Sequence, residues 1–132
     1  MDKKIKHLEM IQEIIKRMAS NSFLLKGWSI TLVAGIFALS AKDSNQKFFL
    51  ITYIPLIVFW ILDTYYLQQE RKYRNLYDKV RSLEEDKIDF SMKITDDLLS
   101  DKTMYAKCFL SISECVFYLP TVILVGIVIS FI

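Results

Sequence analysis

The stretch that decides the fold is 115-CVFYLPTVILVGIVISFI-132, which holds eighteen residues and no charge. A helix needs about 20 apolar residues to cross the ~30 Å hydrocarbon core of a bilayer. Two further runs precede this one: residues 23–41 carry only one charge, Lys26, and residues 48–67 carry only Asp63. Three runs of this length predict three transmembrane helices.

The composition of the chain agrees with this prediction. Of its 132 residues, 53% are hydrophobic and 24% are charged, and the charges fall into two blocks. A chain this short could not enclose three helices that are apolar on every face, which argues against a soluble helical bundle. A long charged segment with a helical pattern precedes the first run, so we interpret that run as a retained span and not as a cleavable signal peptide.

The distribution of Lys and Arg predicts the orientation. Basic residues precede the first run and follow the second, whereas the connector 42–47 has only two lysines. Cytoplasmic loops carry the excess of basic residues, so both charged blocks are expected in the cytoplasm. The prediction is a membrane protein with its N terminus in the cytoplasm and its C terminus outside. A net charge of +2, with no separate basic stripe, gives no reason to expect nucleic-acid binding.

Both charged blocks have the periodicity of amphipathic helices. In the first, Leu8, Ile11, Ile15 and Met18 recur at intervals of three and four residues. A second apolar stripe continues from the second span and is a candidate docking surface; it consists of Tyr73, Leu76, Tyr77, Val80 and Leu83. The two stripes are expected to pack together below the membrane, the alternative being an N-terminal helix that lies flat on the lipid surface.

These patterns define an all-α integral membrane protein with three transmembrane helices and cytoplasmic helical extensions of the first two. Its predicted segments are a cytoplasmic amphipathic helix (1–20), a transmembrane hairpin (21–69), a cytoplasmic helix and connector (70–107) and a third transmembrane helix (108–132). The part of the connector from Glu84 onward is expected to be solvated. Its carboxylates lack the ligand spacing and central glycine of a calcium loop, so no metal site is predicted.

Charged residues inside the apolar runs are the main candidates for a function. Lys26 lies near the start of the first span, Asp63 near the end of the second and Glu114 at the start of the third. In the predicted topology all three lie at a similar depth near the cytoplasmic edge, because a helix rises about 1.5 Å per residue. Charges in a membrane are costly and usually compensated. This layer is expected either to lock the helices together or to take part in conduction or gating.

Small residues predict close contacts between helices. Gly27, Thr31 and Gly35 share one face of the first span, and Gly126 and Ser130 repeat the spacing in the third. Spacing alone leaves open whether the partner is a span of the same chain or of a second copy. A bundle of three spans has little interior, so a pore would need several subunits.

The sequence shows no familiar catalytic constellation. Its single histidine, His7, lies near the N terminus, and no phosphate-binding glycine loop occurs. We therefore predict no enzymatic activity and no cofactor.

Two segments carry a family resemblance. The runs 21-NSFLLKGWSIT-31 and 59-FWILDTYY-66, with Gln69-Glu70-Arg71, resemble small bacterial membrane proteins of antiphage and biological-conflict gene clusters. The layout is similar to that of SLATT-type effectors, and the resemblance covers roughly residues 15–80. It implies an effector that oligomerises and perturbs the membrane or opens a pore when an intracellular sensor is triggered. The sensor would be a separate cytoplasmic protein or the cytoplasmic helices themselves.

Two classes of function follow. The first is a non-enzymatic inner-membrane effector that forms a homo-oligomeric channel or lesion. The second is a non-conducting membrane anchor or immunity-type subunit whose cytoplasmic hairpin docks a partner. A small transporter is disfavoured, because the chain has neither an internal repeat nor a pair of broken helices.

Overall fold

The computed structural model describes residues 2–40, 50–100 and 103–131. Helix is the regular secondary structure throughout these ranges. The helices are α1 (Asp2–Ser40), α2 (Tyr53–Ser82), α3 (Tyr105–Phe109) and α4 (Ile112–Ser130), with short 3-10 turns at Glu85–Lys87 and Asp96–Leu98. The predicted connector 42–47 and the adjoining ends of the first two spans lie outside the described residues.

Helix α1 runs without interruption through the predicted boundary at residue 20. It contains 39 residues, which corresponds to about 58 Å at 1.5 Å per residue. No proline occurs in it, and its first glycine is Gly27. The N-terminal amphipathic segment and the first apolar run are therefore one continuous helix.

The N-terminal half of α1 and the C-terminal half of α2 share a hydrophobic cluster, as their stripes predict. Ile11 and Ile15 of α1 are buried with Leu76 and Val80 of α2. Since the N-terminal half of α1 meets the C-terminal half of α2, the two helices are antiparallel. The N-terminal stripe thus packs on protein, and burial of each such side chain contributes roughly 1.5–3 kcal/mol.

The segment after α2 folds back over this cluster, whereas the sequence predicted a solvated connector. Ile88 and Leu98 are buried in the same cluster. Side chains of α2 hold the returning chain: Asn75 Nδ2 donates to the carbonyl of Leu98 at 2.7 Å, and Gln68 Nε2 donates to that of Thr103 at 2.8 Å. The connector is therefore part of this hydrophobic cluster.

A second hydrophobic cluster joins α1, α2 and α4. It is built from Val33, Leu56, Tyr118 and Val125. The indole of Trp60 on α2 stacks on Tyr118 with 5.5 Å between ring centroids. Helix α4 therefore completes a three-helix arrangement whose contacts with α2 are largely aromatic.

Two described helices are long and apolar enough to cross a membrane, Asp2–Leu39 and Ile112–Ser130. Only 17% of the most apolar stretch in each is buried within the protein. Helix α4, which corresponds to the predicted third transmembrane helix, begins at Ile112, four residues after the predicted start of that segment. Ser111 caps its first turn, because its hydroxyl accepts a hydrogen bond from the backbone N–H of Glu114. The span predicted over 48–67 falls partly outside the described residues and stays a prediction.

Candidate functional site

The structure brings together the three charged residues of the predicted layer. The ammonium nitrogen of Lys26 lies 2.5 Å from Asp63 Oδ2 and 3.6 Å from Glu114 Oε1. Each residue comes from a different long helix, α1, α2 and α4 respectively. The cluster thus links α1, α2 and α4 between the two hydrophobic clusters.

Two further side chains, which were not predicted from the sequence as part of this layer, complete the cluster. Ser22 donates a hydrogen bond to Asp63 Oδ1 and accepts one from Lys26 Nζ at 3.0 Å. The ring of Tyr118 lies 5.8 Å from the same nitrogen, within the range of a cation–π contact. Helical spacing could have indicated both, since Ser22 precedes Lys26 by four residues and Tyr118 follows Glu114 by four.

The cluster is buried and holds one basic and two acidic side chains. Asp63 and Glu114 are fully buried, whereas the side chain of Lys26 keeps 20% of its surface exposed. Among the described residues, neither carboxylate oxygen of Glu114 has a hydrogen-bond partner. One ammonium lies beside two acidic groups, so removing that ammonium would leave both buried acids without a basic partner.

The two predicted small-residue faces differ in what covers them. A Cβ atom added at Gly27 or Gly35 would meet nothing within 4 Å. Thr31 between them is exposed and donates its hydroxyl to the carbonyl of Gly27. This face of α1 is therefore open in the described part of the chain.

The corresponding face of α4 is covered at one of its two positions. A Cβ atom at Gly126 would lie 3.1 Å from the hydroxyl of Tyr53 on α2. Ser130 is exposed and donates its hydroxyl to the carbonyl of Gly126. Gly126 therefore serves a contact within one chain, and Ser130 does not.

The candidate docking stripe is occupied by the chain itself. Leu76 and Val80 are buried under α1 and the returning connector, with Tyr73, Tyr77 and Leu83 packed against them. The stripe is a core of the folded chain and not a free surface, because amphipathic helices bury their apolar faces against the nearest partner.

An ion pair fixes the connector at the solvent-exposed side of α2. Lys79 Nζ lies 2.8 Å from Asp97 Oδ2. The hydrogen bond from Lys79, together with one from Thr95, lowers the pKa of Asp97, and the same bond raises the pKa of Lys79. Both groups are exposed, so the pair is expected to contribute little to stability.

No family model, curated protein or solved structure matches this chain. The function is therefore argued from its own residues and from the resemblance described above.

Proposed function

We propose that this chain is a small membrane protein with three transmembrane helices, and that several copies associate into a channel or lesion in the bacterial inner membrane. The observation that carries the proposal is the buried cluster of Lys26, Asp63 and Glu114, held between helices whose outward faces are apolar. Ionisable residues at membrane depth face the interior of a bundle and commonly serve a function there.

Exposed apolar surface supports the membrane location. Trp28 of α1, Ile54 of α2 and Val116 of α4 are exposed to 60%, 64% and 67%. Further exposed aliphatic residues of the same helices are Ile30, Leu32, Ile57, Val58, Ile61, Leu62, Ile123, Leu124 and Ile127. A soluble monomer rarely exposes a continuous apolar surface of this kind, whereas lipid would cover it at no cost.

The contacts of α2 support a span in its first half. Leu56 is buried against Val33 of α1 and Val125 of α4. If those two helices cross a bilayer, the helix packed between them at the same level must cross it too. Asp63 is the only charge of this half and it is paired.

The open face of α1 supports association of copies. A bundle of three spans has little interior, so a water-filled path requires several subunits around an axis. Gly27, Thr31 and Gly35 would let a helix of a second copy approach closely. Lys26 is next to this face in sequence, which places the charged layer beside the proposed contact.

A role in antiphage defence rests on the resemblance to SLATT-type effectors. It implies that a cytoplasmic sensor protein controls the assembly and that the open state halts growth of the infected cell. The alternative function is a non-conducting anchor or immunity-type subunit. Since the predicted docking stripe is buried, such a subunit would have to present another surface to its partner.

The test is expression from a tight promoter, with growth followed beside the membrane potential reported by a voltage-sensitive dye. We expect depolarisation before growth arrest. The Asp63→Asn variant should change the rate of depolarisation. The control is Asp97→Asn, the same chemical change at an exposed site outside the proposed spans, and it should leave that rate unchanged. If both variants depolarise the membrane at the wild-type rate, the charged layer has no role in conduction. An unchanged potential at verified membrane levels would favour the anchor.

A further inference from the structure

A pocket at the cytoplasmic tip of the hairpin is distinct from the charged layer. It has a volume of ≈ 410 Å³ and is lined by Lys3, Lys6, His7, Met10 and Phe90. Ligand pockets commonly have volumes of roughly 300–1,000 Å³. The residues that line this pocket belong neither to the charged layer of the proposed pore nor to the hydrophobic cluster around Ile11 and Leu76.

His7 is the polar group of this pocket that lacks a partner. Its side chain is buried to all but 3%. Neither ring nitrogen has a hydrogen-bond partner among the described residues. A buried polar group without a partner costs roughly 1–3 kcal/mol, so a ligand that accepts a hydrogen bond from this ring would remove a penalty already present in the fold.

Phe90 covers His7 from the returning connector. The two ring centroids lie 5.5 Å apart. Phe90 has φ 57°, and within the described ranges it is the one non-glycine residue with positive φ. A bulky residue rarely adopts this conformation, and such strain is often retained where a side chain serves a ligand.

We propose that this pocket binds a small organic phosphate whose body is an aromatic ring. The ammonium groups of Lys3 and Lys6 and the ring of His7 would hold the phosphate through charge-assisted hydrogen bonds. Phe90 and Met10 keep 41% and 49% of their surface exposed beside these groups. They offer an aromatic face and a thioether, both of which pack well on an aromatic ring.

The position of the pocket separates this ligand from a lipid headgroup. His7 precedes Lys26 by nineteen residues of one helix, a rise of about 28 Å. Lys4 Nζ donates to the carbonyls of Arg81 and Leu83 at 3.0 and 2.7 Å, which fixes the first turns of α1 against the end of α2. The pocket thus stands well away from the bilayer in the proposed orientation. The inference does not depend on conduction.

The test is isothermal titration of the purified full chain in detergent micelles with three probes. Phenyl phosphate has both the charge and the ring, inorganic phosphate has only the charge, and phenol has only the ring. We expect phenyl phosphate to bind several-fold to about tenfold more tightly than inorganic phosphate, as an aromatic contact would give. No binding of phenyl phosphate at millimolar concentration, or binding no tighter than that of phenol, would overturn the proposal.

Four variants place the binding in this pocket. His7→Phe keeps a buried ring without its nitrogens and should abolish binding. Lys6→Gln should lower the affinity for both phenyl phosphate and inorganic phosphate. Phe90→Gly relieves the positive φ and should lower the affinity for phenyl phosphate to that for inorganic phosphate. Lys16→Gln, the same charge change on the same helix outside the pocket, should bind as wild type does. Equal affinity in all four variants would place the site elsewhere and refute the proposal.

Discussion

The ammonium nitrogen of Lys26 lies 2.5 Å from Asp63 Oδ2, although 37 positions of sequence separate the two residues. The pair exists because α1 and α2 are antiparallel, so that residues far apart along the chain return to one level. Glu114 at 3.6 Å makes the same ammonium the common partner of two buried carboxylates. Lys26 is therefore the basic group that both acidic side chains share.

Removing Lys26 is expected to destabilise the protein more than neutralising Asp63. Lys26→Met leaves two buried carboxylates without a cation, which should cost about 3–5 kcal/mol. Asp63→Asn keeps a hydrogen-bond acceptor for Ser22 and leaves Lys26 paired with Glu114, so its cost should be smaller. Thermal unfolding in micelles measures both. Equal losses of stability would contradict the shared role of the ammonium.

The side of the membrane on which the C terminus lies reports the number of spans. Three spans place it outside, whereas α1 and α4 alone would return it to the cytoplasm. Alkaline phosphatase fused after Ile132 should therefore be active, and a green fluorescent protein fused there should not fluoresce. The reverse pattern would show that residues 48–67 do not cross the bilayer.

Two neighbouring leucines test the packing of the connector. Leu98 is 4% exposed in the hydrophobic cluster around Ile11 and Leu76, and Leu99 is 48% exposed. We expect Leu98→Ala to lower the free energy of unfolding by about 2–5 kcal/mol and Leu99→Ala to change it by well under half as much. Denaturant unfolding of the two variants gives the comparison. Similar values would mean that the connector does not pack as described.

Two glycines distinguish contacts within one chain from contacts between copies. Gly35→Leu enters open space and should leave the monomer folded while preventing close approach of a second copy. Gly126→Leu would push against the hydroxyl of Tyr53 and should destabilise the contact of α4 with α2. Cross-linking and thermal unfolding in micelles separate the two effects. Unchanged cross-linking of Gly35→Leu would exclude this face as the contact between copies.

The amino-acid pattern determined the helices, because long apolar runs favour helix in lipid, where backbone polar groups must pair within the chain. The glycines and prolines of these runs do not end a helix in the described residues. The same pattern predicted that the stripes of 1–20 and 70–83 pack together. It placed Lys26, Asp63 and Glu114 at one depth, because depth follows from the helical rise alone.

Only the tertiary structure decided which surfaces are covered. Periodicity shows that Leu76 and Val80 form an apolar face, but the burial of that face by Ile11, Ile88 and Leu98 depends on how the connector returns. Gly35 and Gly126 look equivalent in sequence, yet one faces open space and the other Tyr53. Likewise the pocket at His7 requires Phe90, which lies 83 positions away in sequence. Local sequence determines where the helices form and at which level along them each charged residue lies. Contacts between distant segments depend on the packing of the whole chain.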